Sequence, residues 1–269
     1  MNALEAFFSR GGDEILADPG LGEALATLLD ALESGSVRAA ARGADGEWRA
    51  NAWVKTGILA GFRSSAVVPV EGWQAGASDK AAFPPRVLTG AEGVRLVPGG
   101  SALRRGACLE PGAVVMPPAY VNVGAFIGEL SMVDSHALVG SCAQVGARVH
   151  LSAGVQVGGV LEPAGARPVV VEDGCFIGAL SGLFEGVVVR ERAVLAPGVV
   201  LTGSTSIFDL VKGREFRGEV PPGAVVVPGS RPAGGDWARA RGIQLYAPCV
   251  VKYRNESTDA ATALEEALR

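Results

Sequence analysis

The fold is decided by residues 97–157, VPGGSALRRGACLEPGAVVMPPAYVNVGAFIGELSMVDSHALVGSCAQVGARVHLSAGVQV. Every sixth residue in this stretch is aliphatic: Val97, Leu103, Leu109, Val115, Val121, Ile127, Val133, Val139, Val145, Leu151 and Val157. About one residue in four of the chain is Val, Leu or Ile, so chance gives such a run on the order of 10⁻⁷ per starting frame. The position two before the aliphatic is small in Ser101, Ala107, Ala113, Ala119, Ala125, Ser131, Ala137 and Ala143. Residues two apart in a strand face the same way. Each unit therefore reads as a short strand with one small and one branched residue inward, followed by a turn. Glycines near the aliphatic (Gly124, Gly128, Gly140, Gly146, Gly158, Gly178) read as turn residues that use glycine's permissive backbone.

Six is not a helical period, and the units are too short for hairpins. Three strand–turn units per coil, stacked so that strands pair in parallel, satisfy the spacing. The period slips by two after Val157 and resumes at Val171, Ile177, Leu183, Val189, Leu195, Leu201 and Ile207. Residues 158–168 must then bulge out as a loop. A second interruption at 212–219 precedes Val225, which returns to phase. The repeat identifies a hexapeptide β-helix. Known examples wind left-handed, against the usual crossover preference.

Outside the repeat, Leu21, Leu25, Leu28, Leu29 and Leu32 lie on one helical face ended by Gly35, and a second helix is predicted over 52–62 after a turn at Asp45-Gly46. These define a mainly helical N-terminal domain, residues 1–92, expected to cover one open end of the coil stack. The β-helix takes residues 93–229. A C-terminal extension, 230–269, is predicted to hold a strand over 245–253 and a helix from Ser257 with Ala261, Leu264 and Leu268 on one face. The fold class is thus mainly β, a left-handed parallel β-helix with a helical N-terminal domain and a small C-terminal α/β extension.

Composition excludes several functions. The chain has 269 residues, 48% of them hydrophobic, and a net charge of −4, which disfavours nucleic acid as a partner. No apolar run is long enough to span a membrane and the first twenty residues do not read as a signal peptide, so a cytoplasmic location is expected. Cys108, Cys142, Cys175 and Cys249 are too far apart for a CxxC metal pattern and read as free thiols. A zinc site of three imidazoles is strongly disfavoured because the chain has two histidines, His136 and His150. The N-terminal ninety residues offer no strand followed by GxGxxG. CoA-dependent acyl transfer and a non-catalytic scaffold remain.

The segments VRLVPGGSALRRGA (94–107), MPPAYVNVGAFI (116–127), SMVDSHALVGSCAQVGARVHLSAGVQVGGVLEP (131–163), VVVEDGCFIGA (169–179) and REFRGEVPPGAVVVPG (214–229) go well beyond the generic repeat. Together with NAWVKTGILAGFR (51–63), they resemble the tetrahydrodipicolinate N-succinyltransferases of diaminopimelate and lysine biosynthesis. The resemblance implies a homotrimer with active sites between neighbouring prisms. It also implies succinyl transfer from succinyl-CoA to the nitrogen of ring-opened tetrahydrodipicolinate, with no metal.

Such chemistry needs a clamp for carboxylates and groups to move a proton. By resemblance Arg95 is the substrate-binding Arg and Asp134 a substrate-binding and acid/base residue. Asp134 also stands at a corner where the repeat usually has a small residue. His136 lies at an outward position; ordinary hexapeptide acetyltransferases use a His as base, but members of the resembled family carry another residue here. His150 is also outward and matches the family, and no role follows for it. The best-known members carry Arg and Glu where this chain has Leu180 and Gly182. Glu185 is retained and is a candidate for the second catalytic role. Gly198 and Ala224 are expected along the acyl-CoA groove, Lys252 at a CoA phosphate, and loops 158–168 and 212–219 as lids over the thioester. A relative using acetyl-CoA or another amino-dicarboxylate, and a silent trimeric scaffold, are the alternatives.

Overall fold

The computed structural model describes residues 3–72 and 76–254. The six-residue repeat builds a three-faced column of two-residue strands. On each face successive strands pair in parallel one coil apart: Phe126 lies between Cys108 and Gln144, Met132 between Val114 and His150, and Leu138 between Tyr120 and Gln156. Face I begins at Arg95–Leu96, face II at Ala102–Leu103 and face III at Cys108–Leu109. Faces II and III each hold six strands. Face I is extended to ten by a hairpin and the C-terminal strand Cys249–Tyr253.

The aliphatic of each unit points inward. From Leu103 to Leu201 these residues line one continuous core, with the small residues Ala107, Ala113, Ala119, Ala125, Ala137 and Ala143 between them. Burying each branched side chain contributes roughly 1.5–3 kcal/mol. The small partner keeps the column narrow enough to close on itself.

The glycines divide into two kinds. Three residues after the aliphatic the chain turns through left-handed backbone, as at Gly124 (φ 73°), and this is where permissive φ is used. Gly128 and Gly178, one residue after the aliphatic, have no such φ. A Cβ there would come within 2.5 Å of backbone in the next coil (the carbonyl carbon of Gly146, the nitrogen of Pro197), so close approach between coils excludes a side chain.

Loop 158–168 is accommodated by a jump in pairing from Val145 to Val171 and from Val157 to Leu183. The second interruption differs from the sequence expectation. Ile207 is buried in the column core as its phase predicts, but its strand Ser206–Asp209 pairs antiparallel with Arg214–Arg217 instead of continuing face III above Val189. The column resumes at Val220, opposite Val189, and then Val226, opposite Leu195. Val226, not Val225, faces the core: the hairpin shifts the phase by one.

Helices α1 (Ala3–Phe8), α2 (Gly12–Ala17), α3 (Leu21–Glu33) and α4 (Ala52–Ser64) pack on one another around Phe8, Leu25, Leu28 and Ile58. Hairpins Ala40–Arg42/Trp48–Ala50 and Val67–Pro69/Ser78–Lys80 accompany them. The helical part of this unit does not cap the stack. It lies along the flank: Val123 and Cys142 of the column join the helical core, Arg38 Nε donates to Gln144 Oε1 (2.8 Å), and Trp48 Nε1 donates to Glu172 Oε1 (2.8 Å). Arg190 closes the contact, donating to Gly46 O (2.9 Å), Glu172 Oε1 (3.2 Å), Glu47 Oε1 (3.2 Å) and Glu219 Oε2 (2.7 Å). The helices bury their apolar stripe against face III and its edge, which leaves faces I and II available. The first coil is covered instead by the segment after Phe83, where Arg86 N–H donates to Leu103 O (2.7 Å) and Leu88 packs on the core.

In the C-terminal extension the strand predicted over 245–253 is broken at Ala247-Pro248 into Gln244–Tyr246 and Cys249–Tyr253. The helix predicted from Ser257 lies outside the described residues.

Candidate active site

The edge between faces I and II gathers several of the candidate residues. Its turns stack through a ladder of backbone bonds: His136 N–H to Pro118 O (2.5 Å), Gly154 to Ser135 O (2.8 Å), Leu180 to Ala153 O (3.0 Å) and Gly198 to Ala179 O (2.9 Å). His136, Leu180 and Gly198 all take left-handed backbone at φ 62°, 60° and 76°. Asp134 precedes this turn in its own coil. Its N–H donates to Leu151 O (2.9 Å) and its Oδ1 accepts the Ser135 N–H (2.7 Å), so one carboxylate oxygen is fixed by backbone. The Asp134 side chain keeps 31% exposure, enough to meet a ligand.

The structure therefore brings Asp134, His136 and Gly198 onto one edge. Gly198 is exposed, and a Cβ added there would meet nothing within 4 Å, so its surroundings are open. Arg95 is exposed on the outer side of face I, in register with Val114 and three coils below His150. Glu185 is exposed and takes φ 55°, but it follows the strand Gly182–Leu183 and so stands at the other edge of face II. One chain does not bring Glu185 to Asp134.

Ala224 is fully buried in the core, so its side chain cannot line a surface groove. Lys252 is exposed at the top of face I, paired antiparallel with Val225. Neither interruption forms a free lid. Residues 158–168 are tied down by Lys55 Nζ donating to Ala166 O, by Arg167 Nε donating to Gly186 O (2.9 Å) and by Leu161 packing on the helices. Most of 212–219 is strand.

Position 182 also has a physical account. The Phe184 ring lies over it: a Cβ at Gly182 would come within 2.6 Å of Phe184 Cε2, and one at Gly158 within 2.7 Å of Cδ1. Beside it, Leu180 is 74% exposed. The Leu180 position is thus apolar where the best-known relatives were expected to be charged.

Sequence reading gave His150 no role. Its Nε2 stands 4.0 Å from Asp134 Oδ2, one coil above. The signal was the 18-residue coil itself, which places Ser152 over Asp134 and so His150 next to it.

The other features lie away from this edge. A recess of about 770 Å³ opens under the hairpin Val67–Pro69/Ser78–Lys80, against Val94 and Leu96 of the first coil, and contains no candidate residue. The Cys108 and Cys142 thiols are pushed up by burial to about 11 and about 12, and that of Cys175 further still, so at neutral pH none is a nucleophile. Among the described residues no three His, Cys, Asp or Glu side chains gather as a metal site, and no helix is long and apolar enough to cross a membrane.

Residues 4–64 match the family model described as tetrahydrodipicolinate N-succinyltransferase N-terminal, and residues 168–203 match hexapeptide repeat of succinyl-transferase. A 2,3,4,5-tetrahydropyridine-2,6-dicarboxylate N-succinyltransferase of Maricaulis maris is 50% identical over 256 residues, covering 92% of this chain and 90% of its own. The enzyme of the same name from Rhizobium rhizogenes is 44% identical and covers 100% of this chain and 96% of its own. The chain belongs to the tetrahydrodipicolinate N-succinyltransferase family.

A solved Campylobacter jejuni chain, described as a candidate 2,3,4,5-tetrahydropyridine-2-carboxylate N-succinyltransferase, matches with TM-score 0.53 at 18% identity over 84% of this chain and 62% of its own. That likeness supports the fold alone. Within this succinyltransferase family the N-terminal model covers the helices that pack on face III, and the repeat model covers upper coils of the column, including Glu185 and Gly198.

Proposed function

We propose that the chain transfers a succinyl group from succinyl-CoA to the nitrogen of ring-opened tetrahydrodipicolinate, giving N-succinyl-2-amino-6-oxopimelate and free CoA. The observation that carries this is family membership along the whole chain, joined to a backbone-anchored, partly exposed carboxylate, Asp134, on an open edge of the column.

In this reading the amine nitrogen attacks the thioester carbonyl, a C–N bond forms, and Asp134 takes the proton that nitrogen sheds. The tetrahedral intermediate collapses with cleavage of the C–S bond, and the thiolate leaves with a proton from a second carboxyl group, Glu185. Arg95 clamps an acceptor carboxylate through its guanidinium fork. Gly198 and the backbone around Ala224 border the acyl-CoA groove, Lys252 meets a CoA phosphate, and the reaction calls for no metal.

The two carboxylates occupy different edges of one column, and that separation supports a homotrimer in which the Glu185 edge of one copy faces the Asp134 edge of the next. The reading further takes the column as left-handed, the domain divisions as 1–92, 93–229 and 230–269, and the location as cytoplasmic. A relative that uses acetyl-CoA is favoured by one observation, the apolar, exposed Leu180 on the edge that carries Asp134. Thiol release measured with succinyl-CoA and with acetyl-CoA, each with the acceptor, separates the two. Faster release with succinyl-CoA is expected; faster release with acetyl-CoA establishes the second reading, and no release with either removes both.

A further inference from the structure

His150 occupies the outward position of the strand His150–Leu151, in register between Met132 and Phe176. Its ring stands edge-on to Phe176, with centroids 5.0 Å apart and planes at 67°. The side chain is only 9% exposed. The imidazole is thus held by packing and largely shielded from solvent, and its Nε2 stands 4.0 Å from Asp134 Oδ2, an ion-pair distance longer than a hydrogen bond.

Asp134 needs such a neighbour. Its Oδ1 is anchored by the Ser135 N–H, which leaves rotation about Cβ–Cγ to be stopped from the Oδ2 side. A base that must meet one nitrogen in one direction loses rate when its carboxylate turns. Contacts of this kind are often long in unliganded sites and tighten when substrate binds.

We infer that His150 is a positioning residue for Asp134, holding Oδ2 through Nε2 so that the carboxylate presents a single orientation to the acceptor amine. The inference rests on the reading of Asp134 as the proton-accepting group. In this role His150 acts on the reaction through Asp134 and not by contact with the reacting atoms.

A mutant cycle tests it. His150→Phe fills the space without an Nε2. It is expected to lower kcat by roughly 10- to 100-fold while KM for succinyl-CoA changes by less than about twofold. In an Asp134→Asn background, already depressed, His150→Phe is expected to cause no further loss. His150→Gln, which can place an N–H near the Nε2 position, is expected to restore most of kcat, and His150→Asn, whose N–H sits near Nδ1, is not.

Wild-type kcat in His150→Phe, or an equal fall in both backgrounds, overturns the inference. Should His150→Phe not fold, the Gln and Asn variants decide: rescue by Gln alone supports it, and equal activity in the two overturns it. Full activity of Asp134→Asn is a distinct result, since it removes the base itself and the positioning role with it.

Discussion

Phe184 lies across Gly182, so close that a Cβ on Gly182 would reach within 2.6 Å of the ring. The glycine and the ring form a matched pair: the ring fills the space that a side chain at 182 would take. Gly182→Ala is expected to lower stability by about 1–3 kcal/mol through overpacking. Gly182→Ala with Phe184→Leu is expected to recover most of it. Denaturant melts of the single and double variants check this; additive losses would show that the two positions are independent.

Asp134 and Glu185 stand at opposite edges of face II, and this separation makes a prediction about assembly. Asp134→Asn and Glu185→Gln are each expected to lose on the order of 10²–10⁴-fold in kcat with unchanged melting temperature. Both side chains are solvent-accessible and neither carries the core. Unfolding the two variants together and refolding them as mixed oligomers is expected to regain activity, because some sites then combine an intact Asp134 with an intact Glu185. Absence of regain would place both carboxylates in sites built by one chain.

Arg190 joins the flank unit to face III, with a side chain 7% exposed against Glu172 at 6%. Donation to the Glu219 carboxylate holds its guanidinium above the usual range despite the cost of burial. Arg190→Met leaves Glu172 buried without its main counter-charge and is expected to cost about 3–5 kcal/mol. Adding Glu172→Gln should return part of that loss. Unfolding curves for the two variants give the answer.

Burial dominates thiol reactivity. Cys108 and Cys142 ionise only near pH 11 and 12, so both stay protonated at neutral pH, and Cys175 more so. Cys249 is the partly exposed one. An aromatic disulfide reagent at pH 8 is expected to label one thiol per folded chain quickly and four after denaturation. Rapid labelling of Cys142 would contradict the packing of α4 against the column.

The column was legible because a parallel coil of 18 residues imposes its period on sequence: each aliphatic from Leu103 to Leu201 had to be inward, and is. The phase after Leu201 was not legible. Ile207 keeps the rhythm and its place in the core while its strand pairs into a hairpin, and nothing local separates Val225 from Val226. The flank position of the helices was equally hidden. It depends on matches between distant residues, such as Arg38 with Gln144 and Trp48 with Glu172.

At the site, Asp134 stood out because a carboxylate replaced the usual small residue. His150 did not, since its neighbour is a coil away and the pattern marks it only as outward. The burial of Ala224 followed from the same one-residue shift of phase that moved Val226 inward.

A crystal structure with CoA and the acceptor bound tests the placement of the reaction most directly. The sulfur is expected against the edge of faces I and II, beside Asp134 and below Gly198, with the Glu185 edge of a second copy opposite. A sulfur seated in the recess under the hairpin Val67–Pro69/Ser78–Lys80, or on an edge that lacks Asp134, would contradict that placement.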